Sequence, residues 1–191
     1  MRELEVEFSW ASEVARHVGS VVHLFLHRMA EDGPDAWDRS KLDAMDSVLQ
    51  VALKQQGVPA AELGAALGRV RQALRGVLGD ARGRWLLSRE HGDARSEYRL
   101  SGELEGAFVN VALDRTFIDA HGVRWIVDYK TGTHEGTDID AFLDRERERY
   151  RAQLERYAAL LARMESRPTR LALYFPLLQA WREWPAPAAT S

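Results

Sequence analysis

The sequence predicts an α/β fold in which an N-terminal helical section precedes a β-sheet. Three observations carry this. Apolar residues recur at helical spacing as far as residue 78, strand-like runs follow on either side of a turn at residues 119–122, and a long helical stretch then leads into a closing strand. Residues 1–9 alternate charged and apolar side chains, which fits a short strand or a frayed lead-in, and the abrupt start fits an excised domain or a truncated relative. Over residues 12–30, Val14, Val21, Val22, Leu24, Phe25, Leu26 and Met29 are spaced for a helix with a broad buried face. Gly33-Pro34 breaks the chain, and residues 36–56 and 60–78 read as two more helices, with Gly57-Val58-Pro59 as stop and start. Residues 79–92 read as a turn-rich connection around Trp85-Leu86-Leu87. Strands are expected over 95–100, 107–118 and 123–129, a helix over 140–164, and a closing strand or hairpin over 169–175 and 179–183. Glu103 and Glu105 read as surface charges near a hairpin turn, and residues 185–191 as a flexible tail at the natural C-terminus.

With 191 residues, 46% of them hydrophobic, the chain can bury one sizeable core, so residues 1–184 are expected to form a single domain. Its helices would occupy 11–80 and its sheet and main helix 95–184. The net charge of -3 excludes a globally basic nucleic-acid binder, so any such contact must come from a local patch. The absence of cysteine excludes a disulfide, a thiolate zinc site and an iron–sulfur cluster. No apolar stretch has the length of a membrane span and no basic-then-apolar leader opens the chain, which makes a cytoplasmic protein without membrane contact the expectation. No Walker loop or dinucleotide fingerprint is present, so no nucleotide cofactor is expected.

The residues that organise the rest are Trp125-Ile126-Val127-Asp128-Tyr129-Lys130-Thr131-Gly132. Side chains two apart on a strand share a face, so Asp128 and Lys130 point one way and Val127 and Tyr129 the other. If Ala120-His121-Gly122 form a three-residue loop with Gly122 at positive φ, Asp119 pairs with Val123 and Asp114 falls opposite Asp128. Two carboxylates and an amine then share a small patch of sheet, and a one-residue slip would destroy it. On the following helix Gln153 and Tyr157 are one turn apart on one face.

Asp114-Arg115, then Asp128-Tyr129-Lys130-Thr131-Gly132, then Gln153-x-x-x-Tyr157 resembles the RecB-type nuclease domain of the PD-(D/E)xK superfamily, which ends the chains of AddA- and RecB-like helicase-nucleases. Gly19-Ser20-Val21-Val22-His23 resembles the G-x-x-x-H segment of that family's first helix. His23 alone would read as a buried, hydrogen-bonded histidine. The downstream motifs favour it as a ligand, and it stands four residues after Gly19 where His17 and His27 do not. The resemblance implies a restriction-endonuclease-like core, a central mixed β-sheet flanked by helices. It also implies that His23 joins the metal site and that Gln153 and Tyr157 flank it. Glu97 resembles an acidic residue before the family's first strand, although a solvated strand-edge glutamate is the simpler reading.

Two carboxylates and an imidazole suit Mg²⁺ or Mn²⁺. Asp114 and Asp128 would be ligands, with the Tyr129 backbone carbonyl adding another, and Lys130 would orient or deprotonate the attacking water. Residues 141–170 hold eight arginines against five acids, so this segment is the local patch for phosphate, with Arg149 and Arg156 joined by Arg115 as DNA contacts. Arg69, Arg71 and Arg75 could add backbone contacts. The expectation is a metal-dependent deoxyribonuclease, an exonuclease rather than an endonuclease, working on DNA ends in repair or recombination. It would work with UvrD/RecB-type helicase domains in the same parent chain or a partner subunit. The alternatives are a non-catalytic DNA-binding or interaction module with the nuclease fold, and a plain scaffold in which Asp128 and Lys130 form a surface ion pair worth at most about 1 kcal/mol.

Overall fold

A computed structural model describes residues 2–104, 106–134 and 137–187, with side chains from residue 13 onward. Glu105 and residues 188–191 of the expected tail lie outside the described residues. The chain divides into two compact units. Met1–Ser88 form the first, together with the segments Lys130–Thr133 and Pro176–Gln179. The rest forms the second.

The first unit is helical. α1 (Arg2–Asp32) is 31 residues long and takes in the stretch expected as a strand or lead-in. Arg, Glu and Leu are strong helix formers and no proline precedes Pro34, so the helix runs back through the alternating charges. A short 3-10 turn over Pro34–Ala36 is followed by α2 (Arg39–Ala44) and α3 (Asp46–Gln55), where a single helix was expected. Met45 divides them at φ -91 and ψ 5. α4 (Leu63–Gly79) follows a turn through residues 60–62, and Gly57 leaves α3 at φ +95, the left-handed stop that glycine takes without strain. The expected connection over 79–92 contains one further helix, α5 (Ala81–Leu86). Asp80 caps it, accepting from the backbone N–H groups of Arg82 and Gly83 at 3.2 Å each. Gly79 and Gly83 around that aspartate give the segment the look of a turn.

Val18, Val21, Val22, Phe25, Leu26 and Met29 of α1 are buried, an uninterrupted three-and-four spacing. They share the core of this unit with Leu49 and Leu53 of α3 and Val70, Leu74 and Val77 of α4. Arg71 and Arg75 of α4 reach the acids of the preceding helices: Arg71 lies 3.2 Å from Asp46, and Arg75 bonds Asp43. The hydrogen bond from Arg75, reinforced by both guanidinium charges, holds Asp43 below the usual carboxylate range. These two arginines tie helix to helix, while Arg69 is exposed.

The second unit is a mixed five-stranded sheet in the order β1-β2-β3-β4-β5. Its strands are β1 (Gly92–Leu104), β2 (Ala107–Ile118), β3 (Arg124–Tyr129), β4 (Thr169–Phe175) and β5 (Ala180–Pro185). β3 and β4 pair in parallel and the other neighbours antiparallel. α6 (Ile139–Ala162) is the crossover between β3 and β4. It lies over the face that carries Arg124, Ile126 and Asp128. Arg182 of β5 reaches Asp144 at 2.9 Å, Phe142 meets the Phe175 ring edge-on at 6.0 Å, and Glu165 beyond the helix meets Arg124 at 2.6 Å. All six residues of β3 and the last five of β4 are buried, as suits the central parallel pair. Among the described residues no helix is long and apolar enough to cross a membrane.

Candidate metal centre

The turn between β2 and β3 sets the register of everything in the centre. Gly122 has φ +78, and the Asp119 N–H bonds the Val123 carbonyl at 3.0 Å, so residues 120–122 form the three-residue loop read from the sequence. The Asp119 carboxylate accepts from the backbone of His121 (2.9 Å) and Val123 (3.0 Å) and from the Trp125 indole (2.8 Å). Burial pushes its pKa up, but those hydrogen bonds prevail and hold it below the usual value. Arg115 pairs with Val127, and one step further along that register Asp114 meets Asp128.

At this point the ladder gives way to a side chain: Asp114 Oδ2 accepts from the Tyr129 backbone N–H at 2.8 Å. The bond fixes the carboxyl of Asp114 at the end of β3, while Asp128 beside it is 7% exposed. On the other side of β2, Ser96 pairs with Arg115 and Tyr98 with Leu113, which leaves Glu97 opposite Asp114. Glu97 and Asp114 bring carboxylate oxygens within 4.8 Å of each other. Three acids therefore form one row across β1, β2 and β3.

Glu97 has φ +50 between two paired residues of β1, a conformation that costs a non-glycine residue on the order of 1 kcal/mol or more. From the sequence the simpler reading of Glu97 is a solvated strand-edge glutamate, beside its resemblance to the family's acidic residue. It is exposed as expected, but nothing in the sequence announces its strained backbone or its nearness to Asp114. Its resemblance to the acidic residue before the family's first strand is one readable signal, and its place opposite Asp114 is another that requires the β1–β2 register. Close carboxylates repel, and a divalent cation relieves that repulsion, so an oxygen-rich pair at this spacing fits Mg²⁺ or Mn²⁺.

His23 is half-buried on α1 of the helical unit. The other two histidines of that helix are engaged elsewhere: His27 lies 3.2 Å from Glu31, and His17 packs beside Gly57. Lys130 follows β3 directly and is half-buried. On α6 the Gln153 amide donates to the Tyr157 hydroxyl at 2.7 Å, so the two act as one polar unit. Tyr129 is buried, and burial, helped by the charges of Asp114 and Glu97, drives its phenol pKa well up. Of the arginines named for DNA, Arg149 and Arg156 are exposed on α6. Arg149 stands 3.5 Å from Glu146. Arg115 is 4% exposed and donates to Ser96 Oγ at 3.2 Å, so its guanidinium serves the β1–β2 pairing and not the surface. Burial lowers its pKa.

A model of the PD-(D/E)XK nuclease superfamily matches residues 2–183. The chain belongs to that superfamily. Membership accounts for the mixed sheet with its helical N-terminal section, points to nuclease activity on DNA, and brings with it the general use of divalent metals by these enzymes. Comparison with the curated proteins finds no match. Among solved structures the chain is similar to the one titled "Crystal structure of SSO0001", at 15% identity and a TM-score of 0.34, covering 98% of this chain and 80% of that one.

Proposed function

We propose that this superfamily member is a Mg²⁺- or Mn²⁺-dependent deoxyribonuclease whose two units work as one nuclease domain. The observation that carries the reading is the row Glu97, Asp114 and Asp128, with Asp114 pinned by the Tyr129 N–H and within 4.8 Å of Glu97. Asp114 and Asp128 would hold the ion, joined by His23, the Tyr129 carbonyl and Glu97. When bound, the ion supplies positive charge against the phosphate and acidifies a water.

The chain's own residues do the rest. Lys130 orients or deprotonates the water, whose oxygen attacks phosphorus as the bond to the leaving oxygen breaks. Its charge also offsets the charge growing on the phosphate. Gln153 and Tyr157 hold the DNA or the lysine from α6, and Arg149 and Arg156 on the same helix contact the backbone. The resemblance to RecB-type domains supports an exonuclease that works on DNA ends in repair or recombination, beside a helicase motor in the parent chain or a partner subunit.

The test is cleavage of linear and circular DNA, single- and double-stranded, with each ion, comparing wild type, Asp128→Ala and Lys130→Ala. Metal-dependent loss of linear DNA that both substitutions abolish supports the reading, and cutting of circles would make the enzyme an endonuclease. A silent wild type that also fails to bind metal by calorimetry would leave the non-catalytic module as the better account.

A further inference from the structure

The segment after β3 belongs to the helical unit and meets α1 at a glycine. A Cβ added to Gly19 would stand 2.9 Å from Thr131 Oγ1, closer than such atoms pack without one of them moving. By contrast, Gly64 and Gly68 of α4 have nothing within 4 Å of the same added atom. Gly19 lies in the middle of a 31-residue helix, where glycine is a poor helix former, so its missing side chain does something alanine could not. Thr131 directly follows Lys130, and the paired ladder of β3 and β4 ends one residue earlier, at Tyr129 and Tyr174. His23 is one turn beyond Gly19 on the same side of α1, about 6 Å along the axis. The helix face that bears His23 is thus the face on which the Lys130–Thr131 segment rests.

We propose that Gly19 is a positioning residue for the reaction. Its bare Cα receives Thr131, and this contact fixes the chain at the point where Lys130 leaves the sheet, setting where the amine stands. On this face of α1 the duty of Gly19 is to place the lysine. The proposal rests on the reading of Lys130 as the group that handles the attacking water. Moving a catalytic group by about 1 Å can cost on the order of 100-fold in rate. A methyl that displaces Thr131 should therefore be felt in turnover more than in substrate binding.

The experiment uses the full chain as wild type, Gly19→Ala, Thr131→Ala and the double variant. Three quantities are read: DNA cleavage kinetics with Mn²⁺, thermal unfolding, and the rate at which an amine-acylating reagent labels each lysine, followed by peptide mass spectrometry. The chain has only Lys41, Lys54 and Lys130, so the first two serve as internal controls. Gly19→Ala is expected to lower kcat at least roughly tenfold with KM and Tm little changed. It should also alter Lys130 labelling while Lys41 and Lys54 stay as they were. Thr131→Ala alone empties the contact, so it should alter Lys130 labelling and lower kcat by a smaller factor than Gly19→Ala, and the double variant should recover both kcat and labelling, because the methyl then fills the space that Oγ1 leaves.

Wild-type kcat and Lys130 labelling in a folded Gly19→Ala protein would overturn the proposal. So would a loss that the double variant does not restore, since the cause would then lie in the helix and not in the contact. A wild type that cuts no DNA would sink the catalytic reading, whereas labelling still decides by itself whether Gly19 places Lys130.

Discussion

Two single residues illustrate how much one missing or strained side chain can carry. Gly76 on α4 would place an added Cβ 2.5 Å from the Pro176 carbonyl oxygen, a backbone atom that cannot turn aside. Alanine normally improves a helix by about 1 kcal/mol over glycine, but this contact should reverse the sign. Gly76→Ala is expected to destabilise by about 1–3 kcal/mol in urea unfolding, whereas Gly68→Ala, with open space around it, should stabilise by about 0.5–1 kcal/mol. If both substitutions moved the midpoint in the same direction, the close approach would not govern the site. Glu97 makes the converse case. Asparagine tolerates positive φ better than glutamate and removes a charge beside Asp114, so Glu97→Asn should hold or raise Tm while weakening metal-dependent cleavage. A variant that loses stability and keeps full activity would show that the strain at Glu97 has no part in the site.

Among the elements, the β1–β2–β3 row depends on ties that the sequence shows unequally. Arg124, at the start of β3, is 2% exposed and forks to Glu165 after α6 (2.6 and 3.0 Å) and to the Asp93 carboxylate on β1 (2.7 Å). The hydrogen bond from Arg124 leads in holding Glu165 below its usual pKa. For Asp93, burial pushes upward, but the bonds from Arg124 and Arg95 prevail and the net shift is also down. Lowered carboxylate pKa values give stability that is complete above the unfolded values near 4 and is lost as pH falls through the folded values. Tm should accordingly drop on acidification below about pH 4, and Arg124→Met should flatten that slope while costing about 2–4 kcal/mol at neutral pH, less than a fully buried pair because both acids keep some water. An unchanged slope in Arg124→Met would assign the acid sensitivity to other groups.

The Asp119 turn, by contrast, was legible residue by residue. Loop length, a glycine at the third position and alternation along two strands are local properties, and together they placed Asp114 opposite Asp128. The Arg124 cluster was not legible, because its partners lie 31 and 41 residues away in sequence, and the strained backbone of Glu97 has no local sequence signal. α5 and the Met45 break escaped for a different reason: each turns on one cap or one φ/ψ pair, below what apolar spacing resolves.

For the whole molecule, the acidic row and His23 stand in different units of the chain, so the proposal that these work as one nuclease domain has a thermodynamic consequence. An ion that binds the folded chain and not the unfolded one raises stability by an amount fixed by its concentration over Kd, about 2.7 kcal/mol at a hundredfold excess. For a chain of this length that corresponds to roughly 5–10 °C in Tm. Wild type should show this rise with Mn²⁺ or Mg²⁺ in a single transition and lose it on chelation. Asp114→Asn keeps an oxygen for the Tyr129 N–H and removes a charge from a repelling pair, so without metal its Tm should match or exceed wild type. With metal it should gain little. His23→Ala should also lose much of the rise, although its residue belongs to the helical unit. A metal-induced shift that survives His23→Ala but not Asp114→Asn would confine the ion to the sheet, and two separate transitions of which only one moves would mean that the units fold and bind independently.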